Sequence, residues 1–216
     1  MKNKAKAPFR FYTSSILIKL TGQKANNIYE LLNGIKKVSG ASIFHHTHHS
    51  FRGHHFIPSL HQNDFAYWIS NILQEKELGE RLASIDIYEY TDIRSLRKEI
   101  IRIIEEYLSK WHEERSVPEG REFHFYEAVS IAMPTDYLVW SLDEFCEALK
   151  KVSIQSVYYH FFQSRLRLKV KRSDFAYWID DSLQRPDIAQ KIDNIDIYMY
   201  ILEDIRKKII KIIEKA

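Results

Sequence analysis

Asp64-Phe65-Ala66-Tyr67-Trp68-Ile69 recurs letter for letter as Asp174-Phe175-Ala176-Tyr177-Trp178-Ile179. Six identical residues, four of them large and apolar or aromatic, do not recur by chance in a chain of 216. Upstream, Phe9-Arg10-Phe11-Tyr12 answers to Phe123-His124-Phe125-Tyr126, Lys36-Lys37-Val38-Ser39 to Lys150-Lys151-Val152-Ser153, and His46 to His160. Downstream, Ile85-Asp86-Ile87-Tyr88 answers to Ile195-Asp196-Ile197-Tyr198, and Arg97-Lys98 to Arg206-Lys207. Self-similarity over nearly the whole length marks one module written twice. The expected fold is therefore mainly α: a tandem duplication of a four- to five-helix module with a pseudo-twofold relation and a few short strands. The copies are expected at 1–114 and 115–216, joined by a connector from Ser109 to Glu122 that holds Pro118 and Gly120.

Helix signals fill each copy. Ser141-Leu142-Asp143-Glu144 has the capping-box pattern, in which a Ser and a Glu satisfy each other's unpaired amides; Asn27 and Glu30 hold the same positions in copy one. Ser39 and Ser153 read as caps of a second helix. Asn63-Asp64 and Ser173-Asp174 open a third, and a short helix follows from Glu77 to Ala83. Ile93, Leu96, Ile100, Ile103 and Tyr107 step by threes and fours, as do Leu202, Ile205, Ile209 and Ile212, giving each copy an amphipathic last helix. Burial within its own module is the simpler use of that stripe; a homodimer through the terminal helices is the sharper one. Phe9 to Tyr12 and Ile85 to Tyr88 alternate enough for short strands.

Composition excludes several classes. At 45% hydrophobic and 28% charged, the chain is too apolar for a disordered one. Its net charge of +3 is weaker than dedicated nucleic-acid domains usually carry. The one cysteine, Cys146, precludes an internal disulfide and fits a reducing compartment. On a helix's apolar side it reads as an inert buried thiol. No stretch has the length of a membrane span and no signal-peptide core follows the basic start, so the cytoplasm is expected. No phosphate-binding loop, dinucleotide fingerprint or nucleophile elbow is written in the chain.

Two segments could carry chemistry, one in each copy. His45, His46, His48, His49, His54, His55 and His61 are seven of the ten histidines. On a helix, His45 and His49 share a face, as do His46 and His49, and such pairs chelate a transition metal such as zinc. His54, His55 or His61 could return as a third ligand, with Asp64 orienting His46; both copies have Asp at this helix start, where the helix dipole and capping explain it more simply. Copy two retains only His160 there, which favours a hydrogen-bonded structural role for the shared position. In copy two the counterpart segment alternates instead: Arg165, Arg167, Lys169 and Lys171, followed by Arg172, with apolar residues between. In an extended conformation they form one cationic edge that could follow the phosphates of a nucleic acid or protect a solvated strand edge.

Val152-Ser153-Ile154-Gln155-Ser156-Val157-Tyr158-Tyr159-His160-Phe161 resembles the turn and recognition helix of tetracycline-repressor-type regulators. That match spans ten residues, recurs more weakly at Val38 to His46, and has paired lysines where that family has Ala and Gly, so it is read as coincidence. Over its whole length the chain resembles an uncharacterised bacterial and archaeal family, a domain of unknown function. The resemblance rests on Ser42 to His46, Asn63 to Trp68 and Leu78 to Asp86, and it implies a folded module with no stated activity. The residues favour a non-enzymatic binding protein that contacts a protein, a nucleic acid or a ribonucleoprotein through its divergent segments. A metal-binding protein or metal-dependent hydrolase using the histidines is the alternative.

Overall fold

The structure is a computed structural model that describes residues 4–48, 63–110 and 115–216. Its element order is β1 (Phe9–Ala25), α1 (Ile28–Lys37), α2 (Gly40–His48), α3 (Asp64–Asn71), α4 (Lys76–Ala83) and α5 (Ile93–Leu108). There follow β2 (Phe123–Val139), α6 (Leu142–Lys151), α7 (Ile154–Val157), α8 (Ser164–Leu168), α9 (Asp174–Leu183), α10 (Pro186–Asp193) and α11 (Leu202–Glu214). The two strands, each 17 residues long, pair with each other in one two-stranded sheet. Thr21 donates to the Phe125 carbonyl at 2.7 Å and Thr135 to the Phe11 carbonyl at 2.8 Å, so the pairing is antiparallel. This corrects the mainly helical expectation. The fold is mixed α and β with long strands, not a tandem helical module with a pseudo-twofold relation.

The described chain divides into two compact units. One holds helices α1–α5 with residues 16–25 of β1 and 123–129 of β2; the other holds α6–α11 with residues 4–15 and the remainder of β2. Each unit thus contains the opening aromatic quartet of the other repeat.

In the α1–α5 unit, Leu31, Ile35, Ile43, Phe65, Ile69, Leu82, Leu96, Ile100 and Ile104 form a buried core closed by Phe123 and Phe125. Phe123 stacks on Phe65 with ring centroids 5.2 Å apart. Trp68 buries its ring and donates its indole N–H to the Arg121 carbonyl at 2.8 Å, as a buried Trp must to avoid stranding a donor. Gly79 lets α4 lie against α3, since a Cβ there would come within 2.6 Å of Ser70 Cβ.

In the α6–α11 unit, Phe9 and Phe11 pack edge-on to each other at 4.9 Å and against Phe145 at 5.5 and 5.2 Å. Trp178 donates to the Ala7 carbonyl at 2.8 Å. Arg206, though nearly buried, spends its guanidinium on the Leu149 and Val152 carbonyls at 3.1 and 2.8 Å, at the C-terminal end of α6. A cation there satisfies carbonyls that have no partner within their own helix and opposes the helix dipole.

The caps lie where the sequence puts them. Asn27, Asn63, Ser141, Ser153 and Ser173 each accept an amide of the first turn. The reciprocal half of the box reaches one residue further back than expected: Glu30 takes the Asn26 amide and Glu144 the Trp140 amide. Ile85 to Tyr88 is not a strand. Asp86 accepts the Tyr88 amide at 2.9 Å and starts a 3-10 turn over Ile87–Glu89.

Candidate functional site

Each unit has a buried imidazole at the meeting of helix and strand. His46, near the end of α2, holds Asp64 Oδ2 at 2.8 Å on Nδ1 and accepts the Tyr126 backbone N–H at 3.0 Å on Nε2. His160 repeats the arrangement with Asp174 at 2.7 Å and the Tyr12 N–H at 2.7 Å. A backbone amide can only donate, so Nε2 is the bare nitrogen and Nδ1 carries the proton that each ring gives to its aspartate. Both rings are therefore neutral, with both nitrogens engaged. Burial lowers the His160 pKa, opposed by the Asp174 carboxylate and assisted by the nearby Arg167.

The aspartates sit in the first turn of α3 and α9, next to the capping residue rather than at the cap. Asn63 and Ser173 are the caps, accepting the Ala66 and Ala176 amides. That division of labour leaves Asp64 and Asp174 to turn toward the imidazoles. Tyr126 and Tyr12 were not apparent as partners from the sequence. Their signal is the repeated Phe-x-Phe-Tyr quartet, whose two Phe rings enter the core and whose Tyr amide meets the histidine.

The surroundings of the two imidazoles differ. His45 lies edge-on to His46 with centroids 4.8 Å apart and is itself buried. One donor atom each from His45, His46 and Asp64 lies within 4.8 Å of the others, a grouping able to hold a metal ion. His46 could join such a set only through Nδ1, in place of its proton. His49, His54, His55 and His61 lie outside the described residues. His48 bonds Thr47 Oγ1 at 2.7 Å, and burial pushes its pKa down to about 4.

At the matching place in the other unit stands Tyr159, edge-on to His160 at 5.0 Å. Arg167 lies over the Tyr159 ring at 4.3 Å and pairs with Asp174. The basic segment is not an extended edge. Arg165 and Arg167 lie on α8, and Lys169 ends that helix in the left-handed region at φ 56°. Arg172 pairs with Asp180 at 2.7 Å and Asp193 at 2.8 Å. The fold brings Arg167 and Arg172 to carboxylates of α9 and α10 and leaves Lys169 and Lys171 exposed. The segment that resembles a recognition helix is buried at Val157, Tyr158, His160, Phe161 and Phe162, so it presents no continuous face to a groove. Cys146 is buried, and that burial raises its thiol pKa, as expected of an inert thiol.

Residues 6–214 match the family model described as "Family of unknown function (DUF5752)". The chain belongs to that family. It is also similar to a solved structure, "The structure of OrfY from Thermoproteus tenax", at 29% identity and a TM-score of 0.83. That likeness covers 99% of this chain and 97% of the other. No curated protein matches the chain. Among the described residues, no helix is long and apolar enough to cross a membrane.

Proposed function

We propose that this member of the family is a non-enzymatic binding protein whose strands receive a protein partner. The observation that carries the reading is the amount of apolar side chain the strands expose. In the α1–α5 unit Leu17, Ile18 and Leu20 are 57%, 51% and 66% exposed. In the α6–α11 unit Ile131, Met133 and Leu138 are likewise exposed. A two-stranded sheet leaves one edge of each strand unpaired, and unpaired strand edges flanked by apolar side chains recognise further strands. The imidazoles support the same reading. With both nitrogens engaged, His46 and His160 serve to hold strand to helix and are not available as bases.

The test is capture from extracts of the source cells with the native chain and with an Ile18→Lys, Ile131→Lys double variant. A protein retained by the native chain and lost by an equally stable variant is the expected result. Equal retention by both would remove the strands from the reading. A nucleic-acid version would use Arg165, Arg167, Lys169, Lys171 and Arg172. Two of those five are already held by aspartates, which makes it the weaker form. Unchanged RNA binding on neutralising them would remove it.

The grouping of His45, His46 and Asp64 favours a second reading, a metal-binding protein. Elemental analysis of chain purified without a polyhistidine tag decides it. About one equivalent of zinc or a similar ion, lost in His45→Ala, supports the reading; protein that stays metal-free after incubation with such ions overturns it.

A further inference from the structure

The repeat permits a comparison within one molecule. A cleft of about 590 Å³ lies beside α10 and α11, lined by Lys191, Lys208, Lys211 and Lys215 together with Tyr200 and Ile212. Lys208 and Lys211, three residues apart, share one face of α11; Lys215 caps the C-terminal end of that helix, and Lys191 approaches from α10. Lys208 stands over the Tyr200 ring at 3.8 Å. Among the described residues none of the four lysines is paired with a carboxylate. Asp196 also lines the cleft, and its carboxylate accepts the Tyr198 amide at 2.9 Å.

The repeat-equivalent positions in the α1–α5 unit are Arg81, Glu99, Arg102 and Glu106. There the charges neutralise one another. Arg81 pairs with Glu106 at 3.0 Å, and Arg102 with Glu99 at 2.7 Å and Glu106 at 2.8 Å. Glu99 lies close enough to Tyr90 to raise that phenol's pKa, second only to burial, just as Lys208 lies over Tyr200. The two surfaces therefore share a scaffold. One is closed by ion pairs, while the other has lysines in place of both glutamates.

We infer that the cleft formed by Lys191, Lys208, Lys211 and Lys215 binds a small ligand carrying two or more phosphate groups. Four lysines gather at this cleft against the single carboxylate of Asp196, so positive charge is in excess there, and an anion relieves the remaining repulsion. Lysine ammonium groups suit phosphate as point charges. Lys208 and Lys215 are separated by about 10 Å along the helix, so they engage separate anionic groups rather than one. The volume falls within the range of about 300–1,000 Å³ usual for small-molecule sites. The opposite unit cannot share the activity, which is the kind of difference a duplication permits.

The test is calorimetric titration of the full chain with inorganic pyrophosphate and tripolyphosphate. The comparison is a Lys208→Glu, Lys215→Glu variant, which installs the residues of the other unit. The native chain is expected to bind one equivalent, more tightly for tripolyphosphate and more weakly as salt rises, and the variant to lose at least about tenfold in affinity. Pyrophosphate should also protect Lys208 and Lys211 of the native chain from an amine-reactive label, a readout that does not depend on the variant folding. Absence of saturable binding, equal binding by the variant, or labelling unchanged by pyrophosphate would overturn the assignment. So would tight binding of a single-stranded oligonucleotide that pyrophosphate cannot displace, which would give the lysines to nucleic acid.

Discussion

Tyr12 donates its backbone N–H to His160 Nε2 at 2.7 Å, joining residues 148 apart in the chain. The contact ties the first strand to a helix of the second repeat, and the Nδ1 bond to Asp174 keeps the ring in the tautomer that can accept it. His160→Phe would keep the aromatic packing against Phe9 and Phe175 but leave the Tyr12 amide without its acceptor. A stranded buried donor and a lost charge-assisted bond together cost about 2–4 kcal/mol. Urea denaturation of the variant should show that loss; a change below about 0.5 kcal/mol, the scale of neutral surface changes, would make the ring mere filler.

His160 and His48 set an acid limit. Burial lowers the folded-state pKa of His160 and carries that of His48 to about 4. A histidine with a depressed folded pKa takes up its proton more readily when unfolded. Its contribution is thus complete above the unfolded pKa of about 6.5 and is lost as pH falls below that. Melting temperature should therefore decline from pH 6.5 toward pH 4, and His160→Phe should flatten part of the decline. An unchanged slope in that variant would contradict the assignment.

Arg206 makes a separable prediction. Arg206→Met keeps most of the side-chain volume and leaves the Leu149 and Val152 carbonyls at the end of α6 without their donor. The expected loss is about 1.5–3 kcal/mol, the value of hydrogen bonds to a charged group. Denaturation monitored in parallel for Arg206→Lys should fall between the native chain and Arg206→Met, because an ammonium restores the charge but not the planar fork.

Removing residues 1–12 tests the composition of the units. The deletion takes away Phe9 and Phe11 from the α6–α11 core and the Ala7 carbonyl from Trp178. Hydrogen exchange should rise in α6 and α9 while α3 and α5 remain protected. Increased exchange confined to α1–α5 would contradict the division.

Much of this was legible in the residues. The caps at Asn27, Asn63, Ser141 and Ser173 and the stripes of α5 and α11 depend on local spacing, and local spacing is what a sequence shows directly. The partnership of His46 with Asp64 was visible as a pair of residue types, but the dipole and capping of α3 explained the aspartate more simply, and only the structure gives the cap to Asn63 and the aspartate to the imidazole. The strands were not legible beyond their aromatic openings. Ser14 is buried while Leu17, Ile18 and Leu20 are exposed, so β1 breaks the alternation by which a half-buried strand is recognised. Ile85 to Tyr88 does alternate, but the Asp86 side chain captures a local amide and bends the chain. The alternation of Arg165 to Lys171 misleads because helix α8 sends Arg167 to Asp174 across seven residues. The Tyr12 and Tyr126 amides could not be inferred from spacing, since both lie on strands that join the helices of the other repeat.

The exchange of opening strands also orders events in time. In the α1–α5 unit, the bond from Trp68 to the Arg121 carbonyl spans 53 residues; in the other, the bond from Trp178 to the Ala7 carbonyl spans 171. The longer loop costs about 1 kcal/mol more entropy to close. During synthesis, residues 7–12 emerge well before Phe145, His160 and Trp178, which must follow before that segment has a core to enter. Assembly of the α6–α11 unit thus waits until Trp178 has been made, and until then Phe9 and Phe11 are exposed to any competing strand.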